Sequence, residues 1–392
     1  MRTYRDLCRV REFTPLFLTS AAQVAAQTVS GLALGTLIYT ATGSPLLSAL
    51  AMFGPSLAQV TGAATLLAAA DRLPPRAALT GLSLFFGLGT AVQAIPGLPV
   101  AALFAIVLGL GAVSALGGGV RYGLLNEILA KDGYLLGRSA LNMATGATQL
   151  CGFAVGGVLV TALSPRGTLL TGAALYLAAA AVARFGLSRR PARGDGRPSI
   201  TRTWRNNALL WSSGPRRRVY LALWVPHGLI VGCESLYVPY APQHAGLLFA
   251  CGALGMLAGD ILVGRYVPPQ WRQRLGVPLS LLLAAPYLVF ALRPALIPAM
   301  AAVVLATTGY SASLLFQERL LVLTPHELSG HALGLHSSGM LTMQGAGATL
   351  AGAVAQYTSP SAGIAVMAAA SLAVTLVLAP GLAPPGQRRV LR

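Results

Sequence analysis

Apolar residues run through this chain in long blocks with no polar face, broken by short clusters of Arg, Pro and Asp. Blocks lie near residues 15–40, 45–70, 77–95, 98–120, 139–163 and 167–187, and after a polar gap near 219–241, 244–264, 276–293, 295–319, 332–356 and 361–380. They are long enough for an apolar helix to cross a bilayer, which takes about 20 residues. Hydrocarbon offers no partner to an unpaired backbone N–H, so a spanning segment is a helix or part of a closed barrel. The roughly 10-residue alternation of lipid-facing barrel strands is missing from the pattern. The chain therefore reads as an all-α membrane protein with twelve transmembrane helices.

Composition strengthens this reading. Of 392 residues, 55% are hydrophobic and 10% charged, against about 25% charged in soluble domains, which leaves too little polar surface for a water-soluble fold. A net charge of +18 raises the question of nucleic acid, and its distribution answers it. The basic residues collect at alternate ends of the apolar blocks rather than on one exposed face, which marks membrane topology and excludes a nucleic-acid partner. With the N-terminus inside, only Arg166 and Arg293 of the 28 Lys and Arg fall outside. Both termini are expected in the cytoplasm of a multi-pass plasma-membrane protein, of bacterial type. The basic start and the small-residue run after Ser20 imitate a signal peptide, but eleven further blocks make the first run a retained helix. The four Cys have no ligand spacing, so no disulfide framework, metal site or cofactor is expected.

The polar gap divides the chain into residues 1–187, a basic cytoplasmic linker 188–218, and residues 219–392. Within the linker, TRTWRNNALLWSS admits two readings, a short interfacial helix with Trp204 and Trp211 at headgroup level or a disordered basic loop near anionic lipid. The halves repeat one another. AAADRLPPR (Asp71, Arg72, Arg76) follows the second block, and GDILVGRYVPPQWR (Asp260, Arg265, Arg272) follows the eighth. Leu124-Leu125 recurs as Leu320-Leu321, and Gln149 as Gln344, each displaced by about half of the 392 residues. Two parallel six-helix repeats are a transporter plan in which substrate binds near mid-membrane at the repeat interface.

These residues resemble the major facilitator superfamily over nearly the whole chain. Asp71-Arg72 with Arg76 is similar to its loop 2–3 signature, although Leu67 and Pro74-Pro75 stand where the family carries Gly. RYGLLNEILAKDGYLLGRSALN resembles the bacterial drug- and siderophore-exporter branch, whose fifth helix carries Gly-Pro ahead of a Gly-Gly pair. Here Gly152-Phe153 precedes Gly156-Gly157, so the antiport motif lacks its proline. The resemblance implies a latch at the cytoplasmic helix ends, made by Asp71, Arg72, Arg76 and Arg121, with Asp260 and Arg265 as the second copy; the alternative for these charges is plain interfacial anchoring.

Glu234, in VGCESLYV of the seventh block, is the sharpest single residue. A carboxylate at hydrocarbon depth is costly and faces a cavity or a partner, and binding and releasing a proton there is what coupling to a proton gradient requires. A structural carboxylate tied to a Ser or Tyr is the competing reading. Glu318, beside Arg319, is better placed for a latch than for a proton. Gln23 and Gln27, four apart on one helix face, join Gln59, Gln149, His227 and Gln344 as candidates to line a substrate cavity or to bond helices together. These uncharged groups favour neutral or lipophilic cargo. The expected function is secondary active transport, proton-coupled efflux of small organic compounds by alternating access in a monomer. Uptake by a permease of the same fold is the alternative. Scattered acids and short tails argue against an enzyme or a receptor, and no Lys-Ser/Thr phosphate loop follows any Gly-rich stretch.

Overall fold

The structure, a computed structural model, describes residues 6–7, 9–70, 73–129, 131–192, 200–325 and 328–382. The apolar blocks fold as helices, and no strand occurs among the described residues. The first half comprises α1 (Phe13–Thr42), α2 (Pro45–Ala70), α3 (Pro75–Gln93), α4 (Val100–Ile128) and the long α5 (Lys131–Gly186). α5 holds two crossings in one run, because Ser164 at φ 71° and Pro165 break it midway. The linker contains α6 (Ile200–Ser212). The second half comprises α7 (Gly214–Ser235), α8 (Ala245–Ile261), α9 (Pro269–Ala284), α10 (Leu296–Thr308), α11 (Ala312–Val322), α12 (Ser329–Tyr357) and α13 (Pro360–Leu382).

Several second-half crossings change helix type partway, and prolines explain two of the changes. α7 stops at Ser235 and resumes as the turn Tyr237–Tyr240. Pro239 has no N–H to give and its ring collides with the carbonyl of Ser235, four residues earlier. α9 tightens into a 3-10 stretch at Ala285–Leu292, where Pro286 removes another bond. α8 ends in a π turn, Leu262–Tyr266. α10 and α11 form one crossing joined by Gly309–Ser311.

The chain forms two compact units, Met1–Thr42 with Gly54–Arg197, and Gly43–Phe53 with Pro198–Arg392. The first turns of α2 therefore belong with the second unit. There Gly352 leaves room for Leu46 and Ala49, and Ser44 Oγ donates to Gln356 Oε1 at 2.7 Å.

Within each unit glycines bring helix pairs into backbone contact, and the pairing repeats. In the first unit α1 lies on Gly152 and Gly156 of α5, α2 meets α4 through Gly62 and Gly111, and α3 meets the second crossing of α5 through Gly87 and Tyr176. In the second unit α7 lies on α12 through Gly228, Gly232 and Gly347, and α8 meets α10 through Gly255 and Gly259. α13 lies against α9 and the 3-10 stretch after it. Crossings one and five, two and four, and three and six thus pair identically in both halves. The internal sequence repeat is a repeat of packing. Leu124, Leu125 and Leu320 occupy matching buried positions in the two inner clusters.

The outer surface is apolar. Leu88, Val158, Leu254, Ile297 and Val377 are exposed, whereas Thr19, Ser20, Gln23, Ser83, His227 and Thr307 are buried. Exposed apolar area on this scale is foreign to a water-soluble monomer, and small and polar residues inside the bundle are how helices associate in lipid. Among the described residues, nine helical stretches are long and apolar enough to cross a membrane by length and composition. One of these, Ala144–Gly186, contains the break at Ser164. α3 and α12, which carry more Ser, Thr, His and Gly, complete the twelve crossings.

One polar clamp ties the first unit together at the helix ends. Arg190, just beyond α5, donates to Glu12 Oε2 at 2.7 Å and to Glu127 Oε2 at 3.2 Å. All three side chains are partly exposed. Exposed pairs contribute about 0.2–1 kcal/mol each, so Arg190→Ala is expected to lower the melting temperature of the purified protein slightly. The loss should shrink as salt is added; a large, salt-independent loss would contradict the ionic reading.

Candidate functional site

Two polar clusters lie within the helix bundles, one in each unit. In the first unit, α1 supplies Gln23, α3 supplies Ser83 and α4 supplies Arg121. Ser83 Oγ donates to the carbonyl of Leu79 at 2.8 Å, Gln23 Nε2 donates to Ser83 Oγ at 2.8 Å, and Arg121 Nη2 donates to Gln23 Oε1 at 3.1 Å. Gln23 and Ser83 are buried. Because Ser83 spends its proton on Leu79, Gln23 must present its NH₂ to Ser83 and its oxygen to Arg121, which fixes the amide orientation.

In the second unit, Glu234 stands one residue before the end of α7. Tyr310, in the Gly309–Ser311 turn between α10 and α11, donates its hydroxyl to Glu234 Oε1 at 2.8 Å. The ring of His227, two turns back along α7, lies 5.7 Å from the Tyr310 ring. His227 is fully buried, and neither Nδ1 nor Nε2 makes a well-formed hydrogen bond among the described residues. Tyr237 and Tyr287, whose hydroxyls meet at 2.5 Å, form a second buried pair just beyond the helix end. Glu234 takes part in no ion pair among the described residues, and its partner is a neutral phenol.

The structure brings together some of the residues singled out in sequence and leaves others apart. Gln23 and Arg121 bond directly, and His227 and Glu234 share Tyr310. Gln27 is exposed one turn beyond Gln23, and Gln59, Gln149 and Gln344 are half-buried on α2, α5 and α12. Asp71 and Arg72 lie outside the described residues. Arg76 is half-buried in the first turn of α3, and Asp260 and Arg265 are exposed at the end of α8 and in the π turn after it. Arg272, in the first turn of α9, donates to the carbonyls of Val267 and Gly264 at 3.1 and 3.2 Å, capping the loop rather than meeting Asp260. Glu318 is exposed near the end of α11, and its neighbour Arg319 donates to the carbonyl of Leu382. The linker segment is a helix. Trp204 and Trp211 are both exposed, and Trp211 also stacks on Trp224, ring centroids 5.6 Å apart.

Sequence reasoning passed over Ser83 and Tyr310. Each is 60 or more residues from its partner, and a single Ser or Tyr in an apolar helix carries no local signal. Among the described residues no group of three His, Cys, Asp or Glu is close enough to hold a metal ion.

No protein-family model and no curated protein matches the chain. Solved structures do. A bacterial homologue of the human lysosomal transporter Spinster is similar over 97% of this chain and 97% of its own, with a TM-score of 0.71 at 13% identity. A POT family transporter in complex with a thioalcohol-conjugated peptide is similar over 95% and 97%, with a TM-score of 0.70 at 11% identity. The nucleoside transporter NupG is similar over 94% and 99%, with a TM-score of 0.70 at 12% identity. Likeness at these identities concerns architecture: the chain has the major facilitator fold.

Proposed function

We propose that this protein is a secondary active transporter that exports small organic compounds in exchange for protons, with both termini in the cytoplasm of a plasma membrane. The observation that carries the reading is Glu234. It is a carboxyl at the end of a membrane-spanning helix, held by the Tyr310 hydroxyl at 2.8 Å and faced by no cation among the described residues. Ionisable groups in such positions mark proton or substrate pathways. A carboxyl bonded to a neutral donor can exchange its proton without breaking an ion pair. The fold supports transport in general, since solved proteins with this architecture include transporters of peptides and nucleosides. Asp71, Arg72, Arg76, Asp260 and Arg265 act as the latch at the cytoplasmic helix ends, by the resemblance of their loops. His227, Gln27, Gln59, Gln149 and Gln344 supply hydrogen bonds to cargo or between helices. One chain carries both repeats and works as a monomer.

The test is cellular accumulation of a mixed compound panel in a pump-deficient host carrying wild type, Glu234→Gln or empty vector, with and without a protonophore. Lower accumulation of some compound with wild type, abolished by the protonophore, is the expected result. Accumulation above the vector control would instead make the protein an uptake permease of the same fold. Export that survives the protonophore would remove the proton from the mechanism.

A further inference from the structure

Arg121 is the charged side chain that the proton-coupling reading leaves unused. It lies seven positions before the end of α4 at Ile128, and its partner Gln23 lies ten positions inside α1. At 1.5 Å per residue these are depths of about 10 and 15 Å from the helix ends. A guanidinium stays charged in proteins, and a charge at such depth is costly unless it is paired. Three other described arginines have partners of their own. Arg190 has two carboxylates, Arg216 donates to the carbonyls of Leu209 and Leu323, and Arg138 lies 5.1 Å over the Tyr122 ring. Arg121 has the oxygen of one neutral amide, and its Nε, like those of Arg138 and Arg216, is enclosed with no acceptor among the described residues.

The hydrogen bonds around it all run one way. Ser83 gives its proton to Leu79, Gln23 gives to Ser83, and Arg121 gives to Gln23. The relay is thus directed away from Arg121 toward the α3 backbone, and the guanidinium at its start keeps N–H donors that Gln23 does not use. One turn away on the same helix faces, the hydroxyls of Thr19, beside Gln23 on α1, and Thr80, beside Ser83 on α3, have no partner among the described residues and are able to donate. Arg121 itself is partly exposed, so its side chain keeps an accessible edge. A held cation with unused donors around it, and no anion among the described residues, is complementary to a carboxylate, whose geometry matches the guanidinium fork.

We infer that Arg121, positioned by Gln23 and Ser83, binds the carboxylate of an organic acid, so that the cargo is an amphipathic anion rather than a neutral lipophile. This deepens the transport reading and rests on it. Its test therefore measures binding with no gradient present, so that a failure here is separable from a failure of proton coupling.

Melting temperatures would be recorded for the purified protein in maltoside detergent and phosphate-free buffer. The probes are a panel of aromatic and aliphatic monocarboxylates, each paired with its carboxamide. At least one carboxylate is expected to raise the wild-type melting temperature at concentrations where its amide does nothing. Gln23→Glu places a permanent carboxylate on Arg121, and should abolish that response while leaving the ligand-free protein as stable as wild type or more so. Arg121→Gln should also abolish it, and Arg121→Lys should keep part of it. The proposal is overturned if no carboxylate outperforms its amide on wild type, or if the preference survives in Gln23→Glu or Arg121→Gln.

Discussion

Replacing Gly347 with valine is expected to leave little folded protein. A side chain at this position of α12 would land on the carbonyl oxygen of Gly228 in α7 and within 2.7 Å of its carbonyl carbon. The contact is reciprocal, since a Cβ on Gly232 would lie 2.6 Å from the carbonyl oxygen of Gly347, and one on Gly228 would lie 2.6 Å from Met343. Overpacking a core costs about 1–3 kcal/mol where side chains can shift. Here the obstacle is backbone, so α7 and α12 must separate, and the cost should exceed that range. Gly334, on the same helix, has nothing within 4 Å of its missing Cβ. Gly334→Val should therefore fold normally, and valine there also recovers backbone entropy that glycine gives up. The monodisperse fraction of detergent-extracted protein and its melting temperature would decide the matter. Equal behaviour of the two valine variants would show that the α7–α12 contact is not as close as described.

Glu234→Gln should separate gradient-driven movement from exchange. In proteoliposomes loaded with a cargo found by the accumulation screen, wild type should concentrate that cargo against its gradient when a pH difference is imposed. The amide keeps the shape and can still accept the Tyr310 hydroxyl, but it cannot take up a proton. Concentrative transport is expected to fall to background while exchange of labelled for unlabelled cargo continues. Tyr310→Phe removes the one hydrogen bond to the Glu234 side chain among the described residues; bonds to charged groups contribute about 1.5–3 kcal/mol. This variant should lose part of the concentrative transport and keep exchange. If Glu234→Gln concentrates cargo as wild type does, Glu234 is a structural partner of Tyr310 and the proton moves elsewhere. Loss of exchange as well as accumulation would point to damage of the bundle rather than to coupling.

The two clusters behind these expectations differ in how far they could be anticipated. Gln23 and Glu234 announce themselves in sequence because a polar group in a run of Ala, Leu and Val must find a partner in lipid. Ser83 does not, since a serine hydroxyl can be satisfied by its own helix one turn back, as it also is by Leu79, and Tyr310 does not, since a single Tyr in an apolar run fits equally as a packed aromatic. Arg121 shows the reverse case. Read beside the neighbouring loop charges it belongs to a latch of ion pairs, yet its guanidinium reaches inward to a neutral amide.

What the sequence by itself determined is the part governed by solvent. Block length and the scarcity of charge require membrane helices, and the recurrence of Leu124-Leu125 and Gln149 half a chain later reveals two repeats. These follow from local physics, because a backbone in hydrocarbon must satisfy its own hydrogen bonds whatever its neighbours do. Which helix lies against which was decided only in the tertiary structure. Glycines are spread through all the blocks, and only folding shows that Gly228, Gly232 and Gly347 meet while Gly334 meets nothing. The partners of Gln23, Arg121 and Glu234 were decided there too, because each comes from another helix and pairing across 60 or more residues leaves no periodic trace in the chain.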